Sequence, residues 1–145
     1  MNLQIKATKP QAEFLTLTNR YRLFCAGYGA WKSEAMVYAA VIDAASAPDG
    51  LIALYAPTND LVRLITANRI VERLSDMGIT HKYNKQDNAI YTSSPNWGDF
   101  LLRSLDNPDR IVGYESYTAH VDAIDTLPQD QAEAAWNRVI RRNRQ

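Results

Sequence analysis

Hydrophobic and polar positions follow two rhythms along this chain: short apolar runs, and longer stretches with helical spacing. Residues 21–26 (YRLFCA) read as a strand running into the glycines of AGYGA. Residues 32–45 (KSEAMVYAAVIDAA) are alanine-rich and free of Gly and Pro, which predicts a helix. Residues 51–56 (LIALYA) are continuously apolar between Gly50 and Pro57, the pattern of a strand buried on both faces. A helix is predicted over 60–76, capped by Asn59, with Leu61, Leu64, Ile65, Ile70, Val71 and Leu74 as its apolar face. Shorter strands are predicted at 81–84, 89–93 and 99–104, the last two divided by the turn-rich SSPNWG, and another near 117–122. Pro128 introduces a final helix over 129–142.

Strands alternating with helices of this length imply βαβ units and a mainly parallel sheet, so the fold class is α/β. The 81–104 region is the exception, a candidate antiparallel hairpin at one edge. With 145 residues, no internal repeat and no linker, the chain reads as one domain spanning 1–145. A domain of this size buries roughly 68% of its unfolded surface, enough for a core.

Composition narrows the function. Sixteen basic residues balance sixteen acidic ones, which argues against non-specific coating of nucleic acid while leaving room for a local basic patch. No apolar window is long enough to span a membrane, and MNLQIKATKPQAEF lacks the apolar stretch of a secretory signal. The single cysteine, Cys25, cannot form an internal disulfide and suits a reducing compartment; within the first strand it reads as a small buried apolar residue.

The turn after the first strand carries the chemistry. Ala26, Gly27, Tyr28, Gly29, Ala30, Trp31, Lys32 and Ser33 fill the spacing G/A-x-x-x-x-G-K-S/T of a phosphate-binding loop, between a strand and a helix. Small residues let backbone N–H groups wrap phosphates, the lysine neutralises them, and the serine hydroxyl binds Mg²⁺. The helix N-terminus adds a positive dipole end. Trp31 departs from the pattern, standing where the second glycine belongs. A non-glycine residue held left-handed there costs roughly 1–2 kcal/mol, and its indole adds bulk. Taken alone, the segment also admits the reading of a glycine-containing strand–helix turn and nothing more.

A second element is needed, an apolar strand ending in a metal-binding carboxylate. Residues 117–125 (YTAHVDAID) supply Asp122 at a strand end. Ala123 follows where a water-activating glutamate is expected, and Asp125 stands at a different distance from the strand. Asp122 alone could be an ordinary turn residue. With Lys32 upstream, the pair indicates P-loop NTPase architecture.

Four segments together resemble the N-terminal ATPase domain of phage terminase large subunits: TKPQAEF at 8–14, FCAGYGAWKS at 24–33, YAPT at 55–58 and VDAID at 121–125. The resemblance implies a RecA-like (ASCE) fold and ATP hydrolysis that drives DNA into the prohead. It further implies that Gln11 contacts adenine, Lys32 and Ser33 bind the phosphates and magnesium of Mg²⁺-ATP, and Asp122 holds the metal. Double-stranded DNA, the terminase small subunit and the portal protein are the implied partners, with a ring-shaped oligomer for the full-length protein in the host cell cytoplasm. The family expects Gly at 31 and Glu at 123, so impaired hydrolysis is expected. Tyr28 offers no cis arginine, and the chain stops at VIRRNRQ, before any coupling motif or nuclease domain. Another P-loop translocase of helicase type, or a catalytically silent nucleotide-binding or assembly module, remains an alternative.

The remaining residues carry less. His81 and His120 lack metal-ligand neighbours, so a zinc site is not expected. Arg138, Arg141, Arg142 and Arg144 suit a solvated helix end or a contact to phosphates, and Arg63 is a further candidate for DNA or nucleotide. Trp97 and Tyr91 read as packing residues beside a turn.

Overall fold

The computed structural model describes residues 3–27, 31–111 and 113–143. Its elements run in the order α1 (Lys9–Leu15), α2 (Lys32–Ser46), β1 (Leu51–Ala56), α3, β2 (His81–Asn84), β3 (Ala89–Thr92), β4 (Asp99–Ser104), β5 (Thr118–Val121) and α4 (Gln129–Arg142). Helix α3 comprises Asn59–Leu61, a π-helical Val62–Ala67 and Asn68–Asp76. The sheet order is β2-β3-β4-β1-β5. β4, β1 and β5 are parallel, while β2–β3–β4 is the antiparallel edge expected from the 81–104 pattern.

β1 organises the layers. Its alternating side chains feed two separate cores, as a strand covered on both faces must. Ile52, Leu54 and Ala56 join Val37, Ala40, Val41 and Ala44 of α2 and Val62, Ile70 and Leu74 of α3. Ala53 and Tyr55 pack on the opposite side with Ala135 and Val139 of α4, beside Leu105 and Ile111. Between α2 and the sheet the backbones approach closely at Gly98, whose N–H donates to the Ala44 carbonyl at 2.8 Å. A Cβ there would lie 2.6 Å from the Gly50 oxygen, so only glycine fits.

Several expectations need correction. Residues 21–26 take no part in the sheet. Phe24 packs against Phe14 of α1 at 5.3 Å between ring centroids, Tyr21 lies 6.0 Å from the Trp136 ring of α4, and no strand edge pairs with their backbone among the described residues. Leu23 is accordingly 82% exposed, and Cys25 is exposed rather than buried. The cap of α3 is Thr58, whose hydroxyl accepts from the Leu61 N–H at 3.3 Å; Asn59 is the first helical residue. The widened π turn shifts the buried face of α3 to Val62, Thr66, Ile70 and Leu74, four apart, and leaves Leu61, Leu64 and Ile65 exposed. Trp97 is buried as a packing residue, whereas Tyr91 is exposed and bonds to Asp87.

A buried polar contact fastens α2 to β5. His120 Nε2 lies 2.9 Å from Asp43 Oδ2, with Thr118 Oγ1 3.4 Å from the same nitrogen. Burial alone would raise the Asp43 pKa, but the hydrogen bond and charge of His120 outweigh it and hold the carboxyl below the usual aspartate value.

Phe100→Ala is expected to cost about 3–5 kcal/mol in urea unfolding, as for a fully buried ring, against less than about 0.5 kcal/mol for the exposed Leu64→Ala. Because the folded pKa of Asp43 is depressed, its contribution is present above the unfolded value of about 3.9 and is lost as pH falls through the folded one. Urea midpoints measured from pH 7 down to pH 3 should therefore fall less steeply for Asp43→Asn than for the unaltered chain.

Candidate functional site

The C-terminal ends of the parallel strands β1 and β5 and the N-terminus of α2 meet at one end of the sheet, where α/β folds place their ligands. Asp122, one residue beyond β5, is anchored by its N–H donating to the Tyr55 carbonyl of β1 at 2.9 Å. Ser33, in the first turn of α2, donates its hydroxyl to Asp122 Oδ2 at 2.6 Å across 89 positions of sequence. That length is typical of a charge-assisted O–H···O⁻ bond. Lys32 Nζ donates to the Ala26 carbonyl at 3.0 Å, tying the helix start to the near side of the loop.

Trp31 adopts φ 54° and ψ 41°, the left-handed conformation that favours glycine. Its carbonyl accepts from the Ala35 N–H, starting α2, and from Gln11 Nε2 at 3.1 Å. Gln11 is buried, and its Oε1 accepts from the Thr8 N–H at 2.9 Å, so its amide links the start of α1 to the start of α2. The indole itself is 66% exposed. Ala123 is likewise left-handed, at φ 53°, where its carbonyl accepts from Thr126 Oγ1 at 2.7 Å. Its methyl group offers no proton acceptor beside Asp122. Asp125 lines a different groove, with Ile124, Leu127 and Trp136.

Gln11, Ala26, Trp31, Lys32, Ser33 and Asp122 are thus linked at one site, with Gly27 next to Ala26 and Ala123 next to Asp122. Tyr28, Gly29 and Ala30 lie outside the described residues, as does Arg144. Among the described residues no three His, Cys, Asp or Glu side chains are grouped to hold a metal. One hydroxyl and one carboxylate are nonetheless the hard oxygen donors that suit Mg²⁺, which completes its shell with water and phosphate oxygens.

Beside this site opens a cleft of about 470 Å³, within the roughly 300–1,000 Å³ of small-molecule sites. Gln11, Trp31, Glu34, Tyr38, Arg69 and Arg73 line it. Glu34 pairs with Arg73 and lies 3.6 Å from Arg69, while the Arg73 guanidinium sits 5.1 Å from the Tyr38 ring centroid. Burial disfavours the Arg73 charge, but Glu34 more than offsets this and raises its pKa; Tyr38 is raised chiefly by burial. No motif in the sequence marks Glu34, Arg69 or Arg73. The Arg69/Arg73 spacing of four places both on one helix face, but nothing in the sequence names Glu34 as their partner. Arg63, by contrast, bonds to Asn88 and the Lys85 carbonyl, and Arg138 pairs with Asp109 at the surface.

The chain matches no protein-family model and no curated protein. Among solved structures it resembles the large terminase of a thermophilic bacteriophage, with a TM-score of 0.72 and 18% identity over 90% of this chain and 36% of that one. It resembles the ADP complex of the same terminase equally, at TM-score 0.72 and 19% identity over 90% of this chain and 35% of that one. A mutant of the large terminase ATPase domain from Thermus phage P74-26 gives TM-score 0.72 and 21% identity over 94% of this chain and 62% of that one. The chain therefore spans about a third of the longer terminases and under two thirds of the isolated ATPase domain. Its five-stranded α/β sandwich has the fold of the ATPase domain of phage large terminases.

Proposed function

We propose that this chain is the nucleotide-binding motor module of a phage DNA-packaging terminase large subunit, with weak ATP hydrolysis of its own. The observation that carries the reading is the Ser33–Asp122 bond, which joins the two expected metal-binding oxygens at the phosphate-binding end of a terminase-type fold. Lys32 and the N-terminus of α2 supply positive charge for the phosphates of ATP. Ser33 and Asp122 would hold Mg²⁺, which neutralises charge on the transferred phosphoryl group when bound. Double-stranded DNA, the terminase small subunit, the portal protein, a ring of subunits and a host cytoplasmic setting belong to this proposal.

Ala123 limits the chemistry. With a methyl group in place of a carboxylate, this position cannot orient or deprotonate water, and such a loss typically costs 10²–10⁴-fold in rate. Trp31 adds a left-handed non-glycine beside the phosphate loop. The same observation at Ala123 supports the second reading, a silent nucleotide-binding or assembly module.

Restoring both positions in Trp31→Gly/Ala123→Glu should raise DNA-stimulated ATP hydrolysis by about 10²-fold or more over the unaltered chain. Equal, substantial rates in the two proteins would overturn the proposed impairment; a folded but inert double variant would favour the silent module. Nucleotide binding is tested separately. Mg²⁺-ATP should raise the melting temperature of the unaltered chain in a concentration-dependent way, and Lys32→Ala should abolish the shift.

A further inference from the structure

We propose that Trp31 is a stacking platform for the base of a purine nucleotide, seated in the cleft beside the phosphate loop. The Trp31 indole lines this polar cleft while 66% exposed, so its ring is open to a ligand, and its backbone is held from below. Its backbone is locked left-handed, and its carbonyl is held by both Ala35 and the buried Gln11. An aromatic ring on a rigid backbone loses little entropy on binding, which is what a stacking surface requires.

Gln11 sharpens the inference. Its Oε1 is engaged by the Thr8 N–H and one of its Nε2 protons by the Trp31 carbonyl, which leaves one N–H for a ligand. In this chain Gln11 is therefore chiefly a positioning residue for Trp31. Recognition of the base then falls to side chains that line the cleft, the Trp31 indole and the partly exposed Arg69 guanidinium, a planar cation suited to stacking. The cleft has room for a two-ring base, and the larger π surface of a purine gains more from stacking than a pyrimidine does.

Trp31 also adjoins Lys32 and Ser33 directly, so base and phosphates of one nucleotide fall on consecutive residues. The inference thus rests on the phosphate-binding role of Lys32 and Ser33. What position 31 loses as a phosphate-wrapping glycine it regains as a base-binding surface.

The test compares ATP with inorganic tripolyphosphate, which lacks base and sugar, by calorimetry on the full chain in Mg²⁺. ATP should bind more tightly than tripolyphosphate. Trp31→Ala should weaken ATP roughly 5- to 150-fold, the range of base–aromatic stacking, with tripolyphosphate unchanged or tighter. Trp31→Phe should keep most of the preference, and Trp31→Gly, which suits the left-handed backbone, guards against a folding defect. An unchanged ATP-to-tripolyphosphate ratio in the Ala and Gly variants would overturn the stacking role while leaving phosphate binding intact. Failure of both ligands to bind the unaltered chain would overturn the nucleotide-binding reading as well.

Discussion

The site depends on the burial of β1 on both faces. Leu51–Ala56 runs between β4 and β5 with no polar side chain except the Tyr55 hydroxyl, which is matched by Tyr114 at 2.7 Å. Because β1 is sealed by α2 and α3 on one side and α4 on the other, its C-terminal end and that of β5 are fixed relative to the start of α2. The Ser33–Asp122 bond follows from that fixed geometry. A displacement of α2 along the sheet would break it, and two polar contacts oppose such a displacement: Asp43 to His120, and Gly98 to Ala44.

The electrostatics of the site are lopsided. In the proposed function Lys32, Ser33 and the helix N-terminus would provide for an anion and a metal, whereas Ala123, next to Asp122, carries no group that can take a proton from water. Binding groups and reacting groups are separable in phosphoryl transfer, where catalysis is mostly positioning and charge stabilisation. A chain can therefore keep the first and lose most of the second. Left-handed backbone at Trp31 and Ala123 marks both departures, and each costs on the order of 1–2 kcal/mol that the surrounding hydrogen bonds must offset.

The cleft wall extends the site toward α1 and α3. Glu34 is held by Arg73 and Arg69, so the first turn of α2 is connected to α3 as well as to β5. A ligand lying against Trp31 and Arg69 would thus meet both the start of α2 and α3.

Much of this was legible in the sequence. The motif spacing singled out Lys32 and Ser33 and the strand end singled out Asp122, and the fold brings these residues to one end of the sheet; the unbroken apolar run of β1 announced a doubly buried strand. Local patterns also predicted helices at 32–45 and 129–142, observed at Lys32–Ser46 and Gln129–Arg142. Tertiary structure decided the rest. Residues 21–26 have the composition of a strand, yet pairing requires a partner edge, which no local pattern encodes. The buried face of α3 turned on a π segment that a regular 3.6-residue period does not foresee. Partners such as Glu34 with Arg73 and Asp43 with His120 are 39 and 77 residues apart, and such pairings exist only once the sheet has brought their helices and strands together.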